Sequence, residues 1–246
     1  MSRYFIYLAY NGTRFVGWQR QPNGSSVQQC LEESLAMILQ APISVVGAGR
    51  TDAGVHARQM TAHFDVEDDI DDVLSLTEKL NRILPKDIAV YRIAPVNPDA
   101  HARFDALSRT YRYYVTDRKN PFDYEWVCCM SLQRINFDWM NEACKILMEY
   151  NDFTSFSKLH TDVKTNDCRI FEAGWSLEGD RWVFTIKADR FLRDMVRAIV
   201  GSLFDVGRGK ITLSDFRAMI EAKDRCRAGM SAPAEGLALI EVAYSY

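Results

Sequence analysis

No apolar run in the 246 residues approaches the length of a membrane-spanning helix. The opening MSRYFIYLAYNG lacks the cleavage pattern of a secretory signal, so a cytoplasmic protein is the expectation. Cysteine is sparse, six in all, and no two form a C-x-x-C pair, which removes the usual zinc frameworks. In a reducing compartment Cys30, Cys128, Cys129, Cys144, Cys168 and Cys226 are expected as small buried hydrophobes. The four histidines, His56, His63, His101 and His160, show no ligand spacing, so no metal is expected. His63 lies on an alternating stretch and reads as structural.

Charge of one sign is missing locally rather than globally. The formal net charge is -3, which by itself argues against a nucleic-acid partner. Yet residues 1–31 hold Arg3, Arg14 and Arg20 and no acid at all. Two further stretches, 101–119 and 187–210, are basic, while acids collect in DVEDDIDD, Asp65–Asp72. If the basic stretches converge, an acidic protein can carry a basic groove.

With 48% hydrophobic and 26% charged residues, one large or two small globular domains are possible. Arg3–Tyr10 predicts a strand, followed by an Asn11-Gly12 turn. In SVQQCLEESLAMILQ, Ser26 and Gln29 fit a capping box, and Val27, Leu31, Leu35 and Leu39 share a helix face that ends before Pro42. Ile43–Gly47 predicts a short strand. Met60, Ala62, Phe64 and Val66 alternate with polar residues, which predicts a strand with one buried face. A helix over Asp71–Leu84 and a strand over Ile88–Ile93 complete β-α-β-β-α-β, the ferredoxin-like order.

The order then repeats. Thr110–Thr116 predicts a strand and Phe137–Tyr150 a helix. Arg169–Leu177 and Trp182–Ala188 predict a hairpin around Glu178-Gly179-Asp180. Helices over Phe191–Val206 and Ser214–Ala222 and a strand over Leu237–Tyr244 follow. The expected class is α+β: two ferredoxin-like halves, 1–98 and 99–246, forming an extended, mostly antiparallel sheet with a central RNA-binding cleft.

Three places could carry chemistry. GAGRTDAGVHARQ, Gly47–Gln59, sets Asp52 among glycines and beside Arg50 and Arg58. Two readings of Asp52 stand: a bend-forming residue, or an accessible carboxylate kept ionised by arginines and able to act as a nucleophile. In FLRDMVRAIVGSLF, Arg197 lies in an apolar helix with Arg193 one turn earlier. It is either a solvated arginine or one with an anionic partner, Asp52 being a candidate. In SRTYRYYV, alternation puts Tyr111 and Tyr113 on one face and Arg112 and Tyr114 on the other. Tyr113 and Tyr114 read as strand filler.

Together with YNGTRFVGWQRQ, SVQQCLE, NRILPKDIAV, HARFDA, NDFTSF and APAEGLALIEVAY, these stretches resemble the tRNA pseudouridine synthase A family over nearly the whole chain. The resemblance implies isomerisation of uridine to pseudouridine at positions 38, 39 and 40 of the tRNA anticodon stem-loop. It implies no metal or organic cofactor, and a homodimer that grips the tRNA. It carries the nucleophile onto Asp52, the active-site tyrosine onto Tyr111, the arginine partner of the aspartate onto Arg197 and an apolar pocket residue onto Leu237. Arg14, Arg20, Arg50, Arg58 and Arg109 are the candidates for holding the RNA. One departure is Asp194, where the family often has a basic or neutral residue. Two rivals remain: a catalytically inactive RNA-binding protein on the same scaffold, and a small-substrate hydrolase. The hydrolase would need a second acid or a metal site, neither of which the pattern offers.

Overall fold

The computed structural model describes residues 1–158 and 165–245, so His160 lies outside the described residues. Nine strands and five α-helices follow one another along the described chain. They are β1 Ser2–Tyr10, α1 Val27–Leu39, β2 Val45–Gly47, β3 His56–Val66, α2 Val73–Ile83, β4 Ile88–Val96, β5 Ser108–Thr116, β6 Cys128–Cys129, α3 Phe137–Leu147, β7 Ile170–Glu178, β8 Arg181–Ala188, α4 Met195–Gly207, α5 Leu213–Glu221 and β9 Leu237–Ala243. Among the described residues no helix is long and apolar enough to cross a membrane.

Two compact units result: Met1–Leu107 with Leu239–Tyr246, and Ser108–Ala238. The first extends past residue 98 because Ala100 and Ala102 pack on Phe5 of β1, and because the Leu107 N–H donates to the Ala243 carbonyl at 2.8 Å.

In the first unit β1 lies between β4 and β3, antiparallel to both, and β2 pairs with β3. This is the β-α-β-β-α-β arrangement expected from the sequence. Tyr4, Ile6, Leu8 and Tyr10 of β1 are buried at alternate positions, as the strand period requires. Two local expectations are corrected. The Ser26 hydroxyl does accept from the Gln29 N–H at 3.2 Å, but the Gln29 side chain donates to Glu33 at 2.9 Å, so only half the capping box forms. Strand β3 starts at His56, and both its faces are buried: Thr61 and His63 are as enclosed as Met60 and Phe64. The second face is covered by residues that follow β4, since the Ala102 N–H donates to His63 Nδ1 at 3.1 Å.

The second unit holds antiparallel β5-β8-β7, helices α3 and α4, and the additions β6 and α5; the strand expected to complete its repeat, β9, belongs from Leu239 on to the first unit. The β7–β8 hairpin turns on Gly179 at φ 65, as its sequence signal indicated. Its core is aromatic: Phe137 stacks on Trp182 at 3.7 Å, and Trp175 packs on Phe184 and Phe204. Helix α4 begins at Met195, not Phe191, because Asp194 takes the left-handed conformation at φ 64. Arg193 therefore lies outside the helix and does not share a helical face with Arg197. Helix α5 starts one residue earlier than expected, behind a full Thr212–Asp215 capping box. Cys128, Cys144 and Cys168 are buried, but Cys129 and Cys226 are exposed, contrary to the expectation for all six.

Candidate active site

The Asp52 loop, residues 48–55, joins β2 to β3 in the first unit. Glycines near it are chosen by space as much as by flexibility. A Cβ on Gly12 would sit 2.1 Å from the Val55 carbonyl oxygen. One on Gly17, at φ +106, would sit 2.5 Å from the Thr51 oxygen. The segment 11–18 thus lies with its backbone directly against the loop, which only glycine permits. Hydrogen bonds lock the contact: Trp18 N–H to the Thr51 carbonyl at 3.1 Å, and the Tyr10 and Thr51 hydroxyls to each other at 2.8 Å. A third runs from the Gly12 N–H to His56 Nδ1 at 3.0 Å.

Asp52 opens a turn in which its carbonyl accepts from the Val55 N–H at 3.1 Å, with Gly54 at φ 79. The bend-forming role is real, and it leaves the carboxylate half-buried on a fixed backbone. Thr51 and Val55 on either side are buried. A Cβ on Gly49 would meet nothing within 4 Å, so the approach over that residue is open.

The candidate RNA-contact arginines of this unit differ. Arg50 and Arg58 are exposed. Arg14 pairs with Asp87 at 3.3 Å, and Arg20 with Glu32 and Glu33 at 3.5 and 3.6 Å. These two would have to share or leave a carboxylate to take a phosphate.

Arg109, Tyr111, Arg197 and Leu237 belong to the second unit. Tyr111 on β5 is 9% exposed and meets Phe191 edge-on at 5.2 Å. Tyr113 and Tyr114 are buried as well, so both faces of β5 are enclosed. Burial and the Cys128 thiol push the Tyr113 hydroxyl well above the ordinary tyrosine value, which keeps it neutral. Arg109 donates to the Asp189 carbonyl at 2.7 Å. Leu237 is buried at the start of β9.

Arg197 is mostly buried in the first turn of α4. Its Nε donates to the Ala232 carbonyl at 2.7 Å, and its Nη1 lies 3.4 Å from Asp194. Of the two readings of Arg197, solvated or paired with an anion, its burial favours the second, and the carboxylate within reach in this unit is that of Asp194. Among the described residues no group of three or more His, Cys, Asp or Glu is placed to hold a metal ion.

Sequence reasoning missed the supports. Tyr10, Trp18 and His56 hold the Asp52 loop, and Arg225 and Ser231 hold Asp194. Gly12 was read only as part of the Asn11-Gly12 turn, and Gly17 was not singled out.

The family described as tRNA pseudouridine synthase matches residues 6–105 and 143–245. The chain is 65% identical over 244 residues to tRNA pseudouridine synthase A of Parabacteroides distasonis, covering 99% of this chain and 96% of the relative. It is 60% identical to that of Bacteroides thetaiotaomicron, with 99% and 91% covered, and 59% identical to that of Porphyromonas gingivalis, with 99% and 98% covered. Matches that run through the Asp52 loop, the Arg197 helix and the strands that carry them leave one conclusion: the chain belongs to the tRNA pseudouridine synthase family.

Proposed function

We propose that this enzyme converts uridine to pseudouridine at positions 38, 39 and 40 of the tRNA anticodon stem-loop, with Asp52 as the nucleophile. The coarser statement, an isomerase acting on uridine in tRNA, rests on the family and the relatives. The N1–C1′ bond of the target breaks, the detached base turns, and C5 bonds to C1′. C5 gives up a proton and N1 takes one, so the product is an isomer and nothing is oxidised.

The target base must first leave its stack, at roughly a few kcal/mol. In this reading Tyr111 stacks on the everted base and Arg197 keeps Asp52 ionised. Leu237 excludes water from the loosened base. Attack on the sugar, attack on the base and assisted elimination all require the same ionised carboxylate. Arg14, Arg20, Arg50, Arg58 and Arg109 take phosphates, and affinity falls steeply with salt. The enzyme acts as a homodimer in the cytoplasm, a compartment that suits six cysteines without disulfides.

The observation that carries this reading is the Asp52 loop, a half-buried carboxylate on a backbone clamped through Gly12 and Gly17. The test is turnover on tRNA lacking the modification. Asp52→Asn should lose more than about a thousandfold in kcat. Its tRNA affinity and thermal midpoint should stay at wild-type values. Near wild-type turnover removes Asp52 from the role. A wild-type protein that binds tRNA and never turns over would instead favour an inactive binding protein on this scaffold. Mapping pseudouridine in tRNA from cells with and without the protein checks the three positions.

A further inference from the structure

Asp194 is an acid within reach of Arg197, at 3.4 Å from its Nη1. A carboxylate there ought to compete for the guanidinium that the proposed mechanism needs. The structure surrounds it. Asp194 Oδ2 lies 3.6 Å from Arg225 Nη2, and the Ser231 hydroxyl donates to the same oxygen. Asp194 Oδ1 lies 3.4 Å from Arg197 Nη1. Arg225 is itself fixed, donating to the Gly229 carbonyl at 3.1 Å and to Ser231 Oγ at 3.0 Å. The strap that carries Ser231 is tied to α4 by a reciprocal pair: Ala232 N–H to the Arg197 carbonyl at 2.9 Å, and Arg197 Nε to the Ala232 carbonyl at 2.7 Å. Side chains of Asp194, Arg197 and Arg225 are only 15%, 21% and 19% exposed, so solvent screens their interactions weakly.

Two guanidiniums, those of Arg197 and Arg225, thus share the Asp194 carboxylate. We propose that Arg225 is a positioning residue that takes up part of the Asp194 charge and so prevents Asp194 from drawing Arg197 into a closed, one-to-one ion pair. The proposal rests on the reading of Arg197 given above. Arg197 and Asp194 are three residues apart, close enough to collapse into such a pair if Arg225 loses its charge. The consequence would fall on the chemical step, not on holding tRNA, because Arg225 acts on the orientation of another side chain.

The test uses the full-length enzyme on unmodified tRNA, with kcat, KM and thermal midpoint measured for each variant. Arg225→Gln keeps donors for Gly229 and Ser231 but removes the charge. It should lower kcat about tenfold and leave KM within about twofold. Arg225→Lys should recover most of that loss. The double variant Asp194→Asn/Arg225→Gln should return kcat to within about threefold of wild type, since the competing charge is then gone. A purely structural Arg225 would move the midpoint and not kcat below it, and the double variant would not rescue turnover. Wild-type kcat in Arg225→Gln overturns the proposal, as does a double variant as slow as the single one. If the Gln variant unfolds at the assay temperature, the Lys variant decides: a tenfold loss of kcat with the charge retained also overturns it. Failure of the underlying reading shows separately, as wild-type turnover in Asp52→Asn or Arg197→Ala.

Discussion

The Asp52 loop and the Arg197 cluster are built by opposite means. The first is held by backbone against backbone, through Gly12 and Gly17, with hydrogen bonds from Tyr10 and Trp18. The second is held by side chains, two arginines and a serine around Asp194. A backbone clamp is rigid and admits no substitution that adds volume. A side-chain network can be retuned one charge at a time. Breaking the two should therefore give different signatures.

Gly12→Ala should have the largest structural effect. Its new methyl would lie 2.1 Å from the Val55 oxygen and 2.6 Å from the Val55 carbon, both backbone atoms with nowhere to rotate. We expect a cost of about 3 kcal/mol, seen as a midpoint lower by about 6–12 °C. Turnover should fall with it, because the Asp52 loop must shift. Gly49→Ala is the control: open space surrounds its Cβ, and stability should change by less than about 0.5 kcal/mol. Equal midpoints for the two variants would mean that the clamp is not rigid.

Arg197→Ala probes the other design. Asp194 would retain Ser231 and Arg225, so that carboxylate keeps its partners. The stability loss should be about 1 kcal/mol, mainly the hydrogen bond to Ala232. The kcat loss should be far larger, about a hundredfold. A fall in stability as large as that of Gly12→Ala would show that the cluster is scaffold first.

How much of this contrast could be read from the sequence follows from the same distinction. Periodicity exposed the strands and helices of both units, because burying one face imposes a two- or 3.6-residue repeat that survives in the residue order. Glycine spacing marked the Asp52 loop. What stayed hidden were contacts between distant segments. Nothing in NGTRFVGW says that Gly12 presses on Val55, and nothing in FLRDMVR says that Arg225 and Ser231 will return to Asp194. The start of α4 was misplaced for a related reason. The apolar pattern continues through Phe191 and Leu192, but Asp194 at φ 64 interrupts the helical backbone. Both faces of β3 are buried because Ala102 returns to cover His63, a tertiary event that alternation alone cannot signal.

That covering sharpens the comparison through pH, since His63 is a side-chain contact inside the backbone-built unit. Burial, then the nearby positive Arg3, lowers His63 from 6.5 to about 4; His101 adds to this, while Asp65 and Asp105 oppose it. The neutral ring accepts from the Ala102 N–H. A depressed folded value contributes stability that is complete above pH 6.5 and is lost as pH falls toward about 4. His63→Gln keeps an acceptor that cannot titrate. Its midpoint should fall less than that of wild type between pH 6.5 and 4, and the two curves should run parallel above pH 7. Parallel curves throughout would remove His63 as the source.

The smallest effects separate arginines that differ only in their neighbours. Arg20 is 55% exposed and shared between Glu32 and Glu33, whereas Arg50 is exposed beside Asp52. A phosphate contact made by Arg50 costs no carboxylate partner on the far side of the segment, while Arg20 must first give up two. Exposed pairs of the Arg20 kind are worth about 0.2–1 kcal/mol, and this offsets part of any gain from a phosphate. Arg50→Ala should therefore reduce the slope of log affinity against log salt by about one, and Arg20→Ala by visibly less. Both should leave kcat on saturating tRNA near the wild-type value, unlike Arg197→Ala. If the slope falls equally for both, the carboxylates around Arg20 do not hold it back, and residues 11–21 contact RNA as directly as the loop they clamp.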